Sequence, residues 1–117
     1  MMGEEALVID SANKLVELTT LLERPAINKI VKVLLEKPNM TSHILELSRE
    51  TGYHKSTISI YVKLLEKMGL VETWTEPIHE GYNILVKYKK VRLRFRKVLV
   101  FGKEKELGEF LVKKRKR

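Results

Sequence analysis

A chain of 117 residues, 44% hydrophobic, is sized for one domain with a modest apolar core. It contains no cysteine, which excludes disulfide staples, thiolate metal sites and a cysteine nucleophile. No apolar run reaches the length of a membrane span, and Glu4 and Glu5 stand where a secretory signal would carry bases; a cytoplasmic protein with no membrane partner is expected. The net charge of +8 is unevenly placed: residues 1–86 hold 9 Lys/Arg against 12 Asp/Glu, while residues 87–117 hold 14 against 3. A basic block on a near-neutral body is the footprint of a polyanion binder. The same charge would also suit a solubilising tail or an anionic membrane surface.

Residues 4–22 read as a first helix, because Leu7, Val8, Ala12, Leu15, Val16, Leu18, Leu21 and Leu22 cover more than half its circumference. A helix apolar over so wide an arc buries two sides: one packs on its own domain and leaves the other for a second copy of the chain, the alternative being a wholly buried core helix. Residues 1–22 are therefore read as a dimerisation helix, with Leu7, Leu15, Leu18 and Leu22 at the interface. Pro25 opens a second helix, where its missing N–H costs little. Ile27, Ile30, Val31, Leu34 and Leu35 form its core stripe, with Asn28, Lys29, Lys32 and Glu36 outside, and Pro38-Asn39 ends it. Thr41 or Ser42 caps a third helix whose apolar side is Ile44, Leu45 and Leu47.

The stretch from Gly52 to Val71 holds a fourth helix. Ile58, Tyr61, Val62, Leu65 and Met68 recur at helical spacing and make its buried face. Ser56, Thr57, Ser59, Ile60 and Lys63 lie between them, an uncrowded surface suited to a helix that must approach something closely. Gly69 stops it. Leu47 as anchor, Ser48 at the helix contact, Gly52 in the turn, Tyr53 as plug and Ile58 beyond make residues 42–68 a helix-turn-helix.

The run Ile44-Leu45-Glu46-Leu47-Ser48-Arg49-Glu50-Thr51-Gly52, then His54-Lys55-Ser56-Thr57-Ile58-Ser59 and Val62–Val71, resembles winged-helix regulators of the ArsR and MarR type. The preceding stretch Leu22–Leu35 is similar to the helix those families place before their helix-turn-helix, so the resemblance covers residues 20–76. It implies a dimeric transcriptional regulator that reads operator DNA with residues 54–67, and so places His54, Lys55, Ser56, Thr57, Ser59, Ile60 and Lys63 at the DNA. Ile60 departs from the basic or polar side chain those families commonly carry there, although an apolar group can touch a thymine methyl. The metal-sensing members use cysteine or histidine ligands in their helices, and this chain has no cysteine. No metal, cofactor or small-molecule ligand is expected.

Leu70–Thr75 and Tyr82–Tyr88 read as the two strands of a wing hairpin, joined by a turn over 76–81. Glu76 and Glu80, with only His79 as a possible cation, make its tip anionic and unsuited to phosphates. Apolar residues occupy even positions up to Tyr88 and odd positions from Val91, which predicts a bulge or turn at Lys89-Lys90. From Val91 the strand carries Arg92, Arg94 and Arg96 on one face at about 6.6–6.8 Å spacing, close to the phosphate repeat. With Lys87, Lys89 and Lys90 these form the expected backbone-binding set, the alternative being the charged face of an edge strand. Val98–Phe101 continues as a strand or buried linker. Residues 104–112 read as a terminal helix with Leu107, Phe110 and Leu111 on one face, which the resemblance places beside the first helix across a two-fold axis. Residues 113–117 are a basic tail.

No glycine-rich phosphate loop, serine nucleophile motif or acid-base carboxylate pair is present, and His43, His54 and His79 show no ligand spacing, so no enzyme is expected. Trp74 and the tyrosines are expected in the core of the small sheet. The expected fold is α+β: a single winged helix-turn-helix domain over residues 1–112, with a helical core at 25–69 and a wing with basic strand extension at 70–101. The expected function is a homodimeric regulator binding double-stranded DNA sequence-specifically. The alternatives are a protein-interaction module on the same fold within a transcription or replication assembly, and a sequence-tolerant binder of RNA or single strands.

Overall fold

The computed structural model describes residues 5–79, 81 and 85–111. The chain opens with a strand, β1 (Ala6–Ile9), and Ser11 then starts the helix α1 (Ala12–Leu22), its side chain accepting from the Lys14 backbone N–H at 3.2 Å. This corrects the single helix expected over residues 4–22. Ser11 is a strong N-cap residue inside that stretch, and the partly β-branched run Leu7-Val8-Ile9 ahead of it suits a strand once a neighbour is present.

α2 (Pro25–Glu36) begins on its proline and closes Ile27, Ile30, Val31 and Leu34 away from water. Asn28, expected outside the stripe, is also buried: its Nδ2 donates to the Leu22 carbonyl at 3.1 Å. That carbonyl is one of the last of α1, which has no helical partner of its own. Asn28 therefore caps one helix from within the next.

A 3₁₀ turn (Pro38–Met40) leads into β2 (Thr41–His43), followed by α3 (Ile44–Thr51), α4 (Lys55–Lys67) and the long strands β3 (Val71–His79) and β4 (Leu85–Leu93). These strands form an antiparallel sheet in the order β2-β4-β3. Val71, Val91 and Leu93 on its inner side share one apolar cluster with Ile30, Leu34, Leu47, Ile58 and Leu65 of the helices. Each such side chain contributes about 1.5–3 kcal/mol by leaving water, so packing on this face rather than helix propensity holds α2 to α4.

The pairing of β3 with β4 runs without a break from Val71↔Leu93 to His79↔Leu85, so the bulge expected at Lys89-Lys90 is absent. Lys87, Lys89, Val91 and Leu93 share one face of β4. That face is covered by helices at Val91 and Leu93 and exposed at Lys87 and Lys89. The hydrophobic pattern changes phase because the surroundings change, while the strand itself continues.

The basic strand expected over 91–101 is broken in two. β4 ends at Leu93, the Arg94 backbone N–H bonds the Leu70 carbonyl at 2.8 Å, and the chain crosses to a second sheet as β5 (Lys97–Val100). β5 lies parallel to β1, with Leu7 opposite Val98 and Ile9 opposite Val100, and antiparallel to β6 (Lys103–Glu106). Phe101 and Gly102 join β5 to β6 with φ of 49° and 84°, the paired left-handed conformation of a type I′ hairpin turn. The helix expected over 104–112 is replaced by β6 and a single 3₁₀ turn (Leu107–Phe110). The Gly102 turn returns the chain along β5, where Lys97 pairs with Glu104 at 2.7 Å, so residues 103–106 are taken up as a strand. The basic tail expected at 113–117 lies outside the described residues.

Ile9, Val98, Val100, Leu107 and Leu111 join the same apolar cluster as the helices. Of the side chains expected at a dimer interface, Leu18, Leu22, Leu107 and Leu111 are buried in this cluster, closed off by their own chain. Leu7, Leu15 and Phe110 remain partly exposed. Trp74, expected in the core, is 37% exposed on the outer face of the hairpin and donates to Glu76 at 3.3 Å.

Candidate nucleic-acid interface

The helix-turn-helix is closed by hydrogen bonds that its small polar residues supply. Gly52 takes φ of 85° as the left-handed residue ending α3, and its N–H bonds the Ser48 carbonyl at 2.9 Å. Ser48 is small enough to sit at the helix contact, and its Oγ donates to the Tyr53 carbonyl at 2.6 Å. Thr51 donates to the Leu47 carbonyl at 2.7 Å and accepts from the Tyr53 N–H at 3.3 Å. The turn therefore has one geometry, and it fixes the angle at which α4 leaves α3.

The start of α3 is held by an ionic cluster. His43, rather than Thr41 or Ser42, is its cap: Nδ1 accepts from the Glu46 N–H at 3.2 Å. Ser42 Oγ donates to Glu46 at 2.5 Å, and Lys37 bridges Glu46 at 3.1 Å and Glu50 at 2.5 Å. The Ser42 hydroxyl, with Lys37 beside it, holds the Glu46 carboxyl below the usual carboxylate range, and the bonds to Glu50 and Glu46 raise Lys37. Burial pushes the His43 imidazole below its ordinary value, and Lys90, Arg49 and Lys37 add to that against the pull of Glu46. Its ring stacks at a tilt on Tyr88 of β4, 4.6 Å between centroids, tying α3 to the wing.

α4 buries Ile58, Val62 and Leu65 and turns Ser56, Ile60, Lys63 and Lys67 outward at helical spacing. No carboxylate lies on that outward line, and Thr57 and Ser59 flank it half-exposed. Ile60 is 60% exposed at its centre. Lys55 is exposed in the first turn, and His54 caps the helix, its Nδ1 accepting from the Ser56 N–H at 3.1 Å. Every residue expected at the recognition helix thus lies on the first two-thirds of α4 or at its cap. Lys67 extends the outward line by one turn and was legible from the spacing of Ser56, Ile60 and Lys63. Arg49 in the last turn of α3, and Lys29 of α2, 5.7 Å from the Tyr53 ring centroid, are further cations beside the turn that composition alone did not pick out.

The basic residues expected to hold phosphates fall into two groups. Thr73 of β3 donates to Glu66 of α4 at 2.9 Å, which marks the hairpin face turned toward α4. Thr73 pairs with Val91 and Thr75 with Lys89, so Lys87 and Lys89 stand exposed on that same face. Lys90 and Arg92 are on the opposite face, where Lys90 pairs across to His43 and Arg92 to Glu72. Arg92 is ion-paired to Glu72 and lies over the Trp74 ring at 5.8 Å. Arg94 and Arg96 have left the strand altogether. Arg94 Nη1 donates to the Gly69 carbonyl at 3.2 Å, at the C-terminal end of α4. The wing tip beyond His79 falls largely outside the described residues.

Among the described residues no three His, Asp or Glu side chains are grouped to hold a metal ion, and no helix is long and apolar enough to cross a membrane. No curated protein matches the chain. Residues 24–73, from the start of α2 to the start of β3, match the family described as bacterial regulatory protein, arsR family. Over these 50 of its 117 residues the chain is similar to arsR-family regulators, and the arrangement of α2 to β4 is that of a winged helix-turn-helix.

Proposed function

We propose that the chain binds double-stranded DNA sequence-specifically as a homodimer in the cytoplasm and regulates transcription from the bound site. The observation that carries this is the outward line of α4, Ser56, Ile60, Lys63 and Lys67, free of carboxylates and flanked by the short side chains of Thr57 and Ser59. Short hydroxyls let a helix axis come close to base edges, where serine and threonine pair with several bases and an apolar group meets the thymine methyl. Lys87 and Lys89, on the α4 side of the wing, suit backbone phosphates and would set position and salt dependence while α4 supplies sequence preference. Such a division involves no catalytic step.

A dimer is supported by apolar side chains left at the surface of the first two elements, Val8 at 54% and Val16 at 60% exposure, with Leu7 and Leu15 half-buried near them in the chain. Two-fold symmetry of protein and operator go together, and half-sites would lie about one helical turn apart. Selection of bound sequences from a random duplex pool tests both parts. A two-fold symmetric motif is expected, and a pool that stays random at low salt refutes the reading.

A second reading, a protein-docking module, draws on the apolar groove of about 580 Å³ lined by Val16, Leu21, Leu64 and Met68 between α1 and the end of α4. Thr57→Ala with Ser59→Ala separates the two. It removes sequence preference if α4 reads DNA and leaves DNA behaviour unchanged if the chain only docks proteins.

A further inference from the structure

At the base of the wing, the end away from its tip, four stretches of chain meet around an open concavity of about 460 Å³. Glu5 comes from ahead of β1, Met40 from ahead of β2, Glu72 from β3, and Arg92, Arg94 and Arg96 from the end of β4 and the crossing to the second sheet. Three guanidinium groups face two carboxylates, so the lining keeps a positive surplus.

The three arginines are not equally engaged. Arg92 is committed to Glu72, and Arg94 to the Gly69 carbonyl, with its guanidinium 4.9 Å from the Phe95 ring centroid. Arg96 is exposed and its side chain has no ion pair or hydrogen bond among the described residues. A guanidinium presents forked donors that match oxyanions, and three of them from one crossover can converge on a single such group. All three arginines line this one concavity.

Nor does this cluster belong to the surface that faces DNA in the proposed function. Arg94 sits at the C-terminal end of α4, whose 13 residues rise about 20 Å from the helix start. Arg92 lies on the hairpin face turned away from α4. Lys67 lies at this same end of α4, so the two surfaces are separated by face: Lys87 and Lys89 stand on the α4 side of the hairpin and Arg92 on the other.

We propose that this concavity binds a small oxyanion, either free phosphate or the phosphoryl group of a small metabolite, at a site separate from the DNA surface. The ligand spans Arg96 and Arg94 and competes with Glu72 for Arg92. Because its lining joins the segment leading into the helix-turn-helix to the base of the wing, occupancy braces the two against each other. Only the word "separate" rests on the DNA-binding reading; the site stands without it.

Trp74 is the one tryptophan of the chain and lies under Arg92, so it reports on the site directly. Titration of the full chain with inorganic phosphate or pyrophosphate, without DNA, is expected to change Trp74 emission saturably and to raise the melting temperature as a ligand of the folded state does. Sodium chloride at matched ionic strength is expected to do neither. Arg96→Ala, an exposed position, is expected to weaken binding about tenfold while the melting temperature of the free protein holds. Glu72→Gln, which frees Arg92, is expected to tighten it, and Lys63→Ala to leave it unchanged. A response that tracks ionic strength alone, or one indifferent to Arg96→Ala, overturns the proposal. So does the opposite pattern, no phosphate response but duplex affinity abolished in Arg96→Ala, since the arginines would then hold DNA. Failure of duplex binding with a saturable phosphate response refutes the DNA reading and leaves this one standing.

Discussion

Ile60 allows a quantitative test of how α4 meets DNA. Its side chain is 60% exposed in the middle of an otherwise polar line, an arrangement that gains nothing for the free protein. The apolar feature of the major groove is the thymine methyl, and burying one methyl is worth about 0.8 kcal/mol. Replacing the thymine opposite Ile60 by uracil removes that group in each half-site, about 1.6 kcal/mol for a dimer, or roughly fifteenfold in affinity. Ile60→Ala removes more. Covering the exposed 60% of a side chain whose full burial is worth about 1.5–3 kcal/mol gains about 1–2 kcal/mol per half-site. Fluorescence anisotropy at fixed salt, with the selected duplex in thymine and uracil forms against both proteins, closes a double-mutant cycle. The alanine variant is expected to ignore the thymine-to-uracil change and to keep its melting temperature within the small range of surface substitutions. Equal binding of both duplexes by the unaltered protein would show that Ile60 touches no thymine methyl, and would refute this reading of its exposure.

Other expectations follow from single interactions. Asn28→Ala leaves the Leu22 carbonyl buried without its donor, so stability in urea is expected to fall by about 1–3 kcal/mol. Full retention would mean that water replaces the bond. Lys87→Ala with Lys89→Ala is expected to reduce the slope of log affinity against log salt by about 0.9 for each phosphate no longer neutralised, whereas Arg96→Ala leaves that slope alone. The burial of His43 makes a pH prediction. Its folded-state pKa lies below the unfolded value of about 6.5, so its contribution is present in full above that pH and disappears as pH falls through the unfolded pKa towards the folded one. His43→Asn keeps a cap acceptor but cannot titrate, and is expected to flatten the acid side of the stability profile. An unchanged profile would locate the titration elsewhere, with Glu46, whose own depressed pKa acts at lower pH, as the next group to test.

The helix-turn-helix was legible because everything it needs is local. Leu47, Ser48, Gly52 and Ile58 lie within a dozen residues, and each expresses its role through size or backbone preference. β1 was illegible for the converse reason. Its partner is 91 positions away at Val98 opposite Leu7, and an apolar tetrapeptide beside a helix reads as more helix until that partner is known. β4 misled in a third way. Period-two reasoning assumes that one face keeps one environment along the whole strand, and here the helices cover Val91 and Leu93 but not Lys89. The change of phase that seemed to require a bulge marks where the core stops.

The same limit explains the arginines. By strand periodicity Arg92, Arg94 and Arg96 alternate as one face of one strand, and a row of arginines beside a recognition helix reads as a phosphate clamp. That inference needs the strand to continue past Leu93, and the bond from Arg94 to Leu70 ends it. The three side chains instead line one concavity at the base of the wing, and in the proposed function the holding of DNA falls to Lys87 and Lys89, with Lys63 and Lys67 on the helix itself. A helix with that much charge of its own needs less help from the wing, which is consistent with an exposed Glu76 being tolerated on the way to the tip. Selecting and holding are thus less divided between helix and wing than the charge distribution along the chain suggests. On the two proposals the basic residues from Lys87 to Arg96 serve two surfaces, and they face different ways.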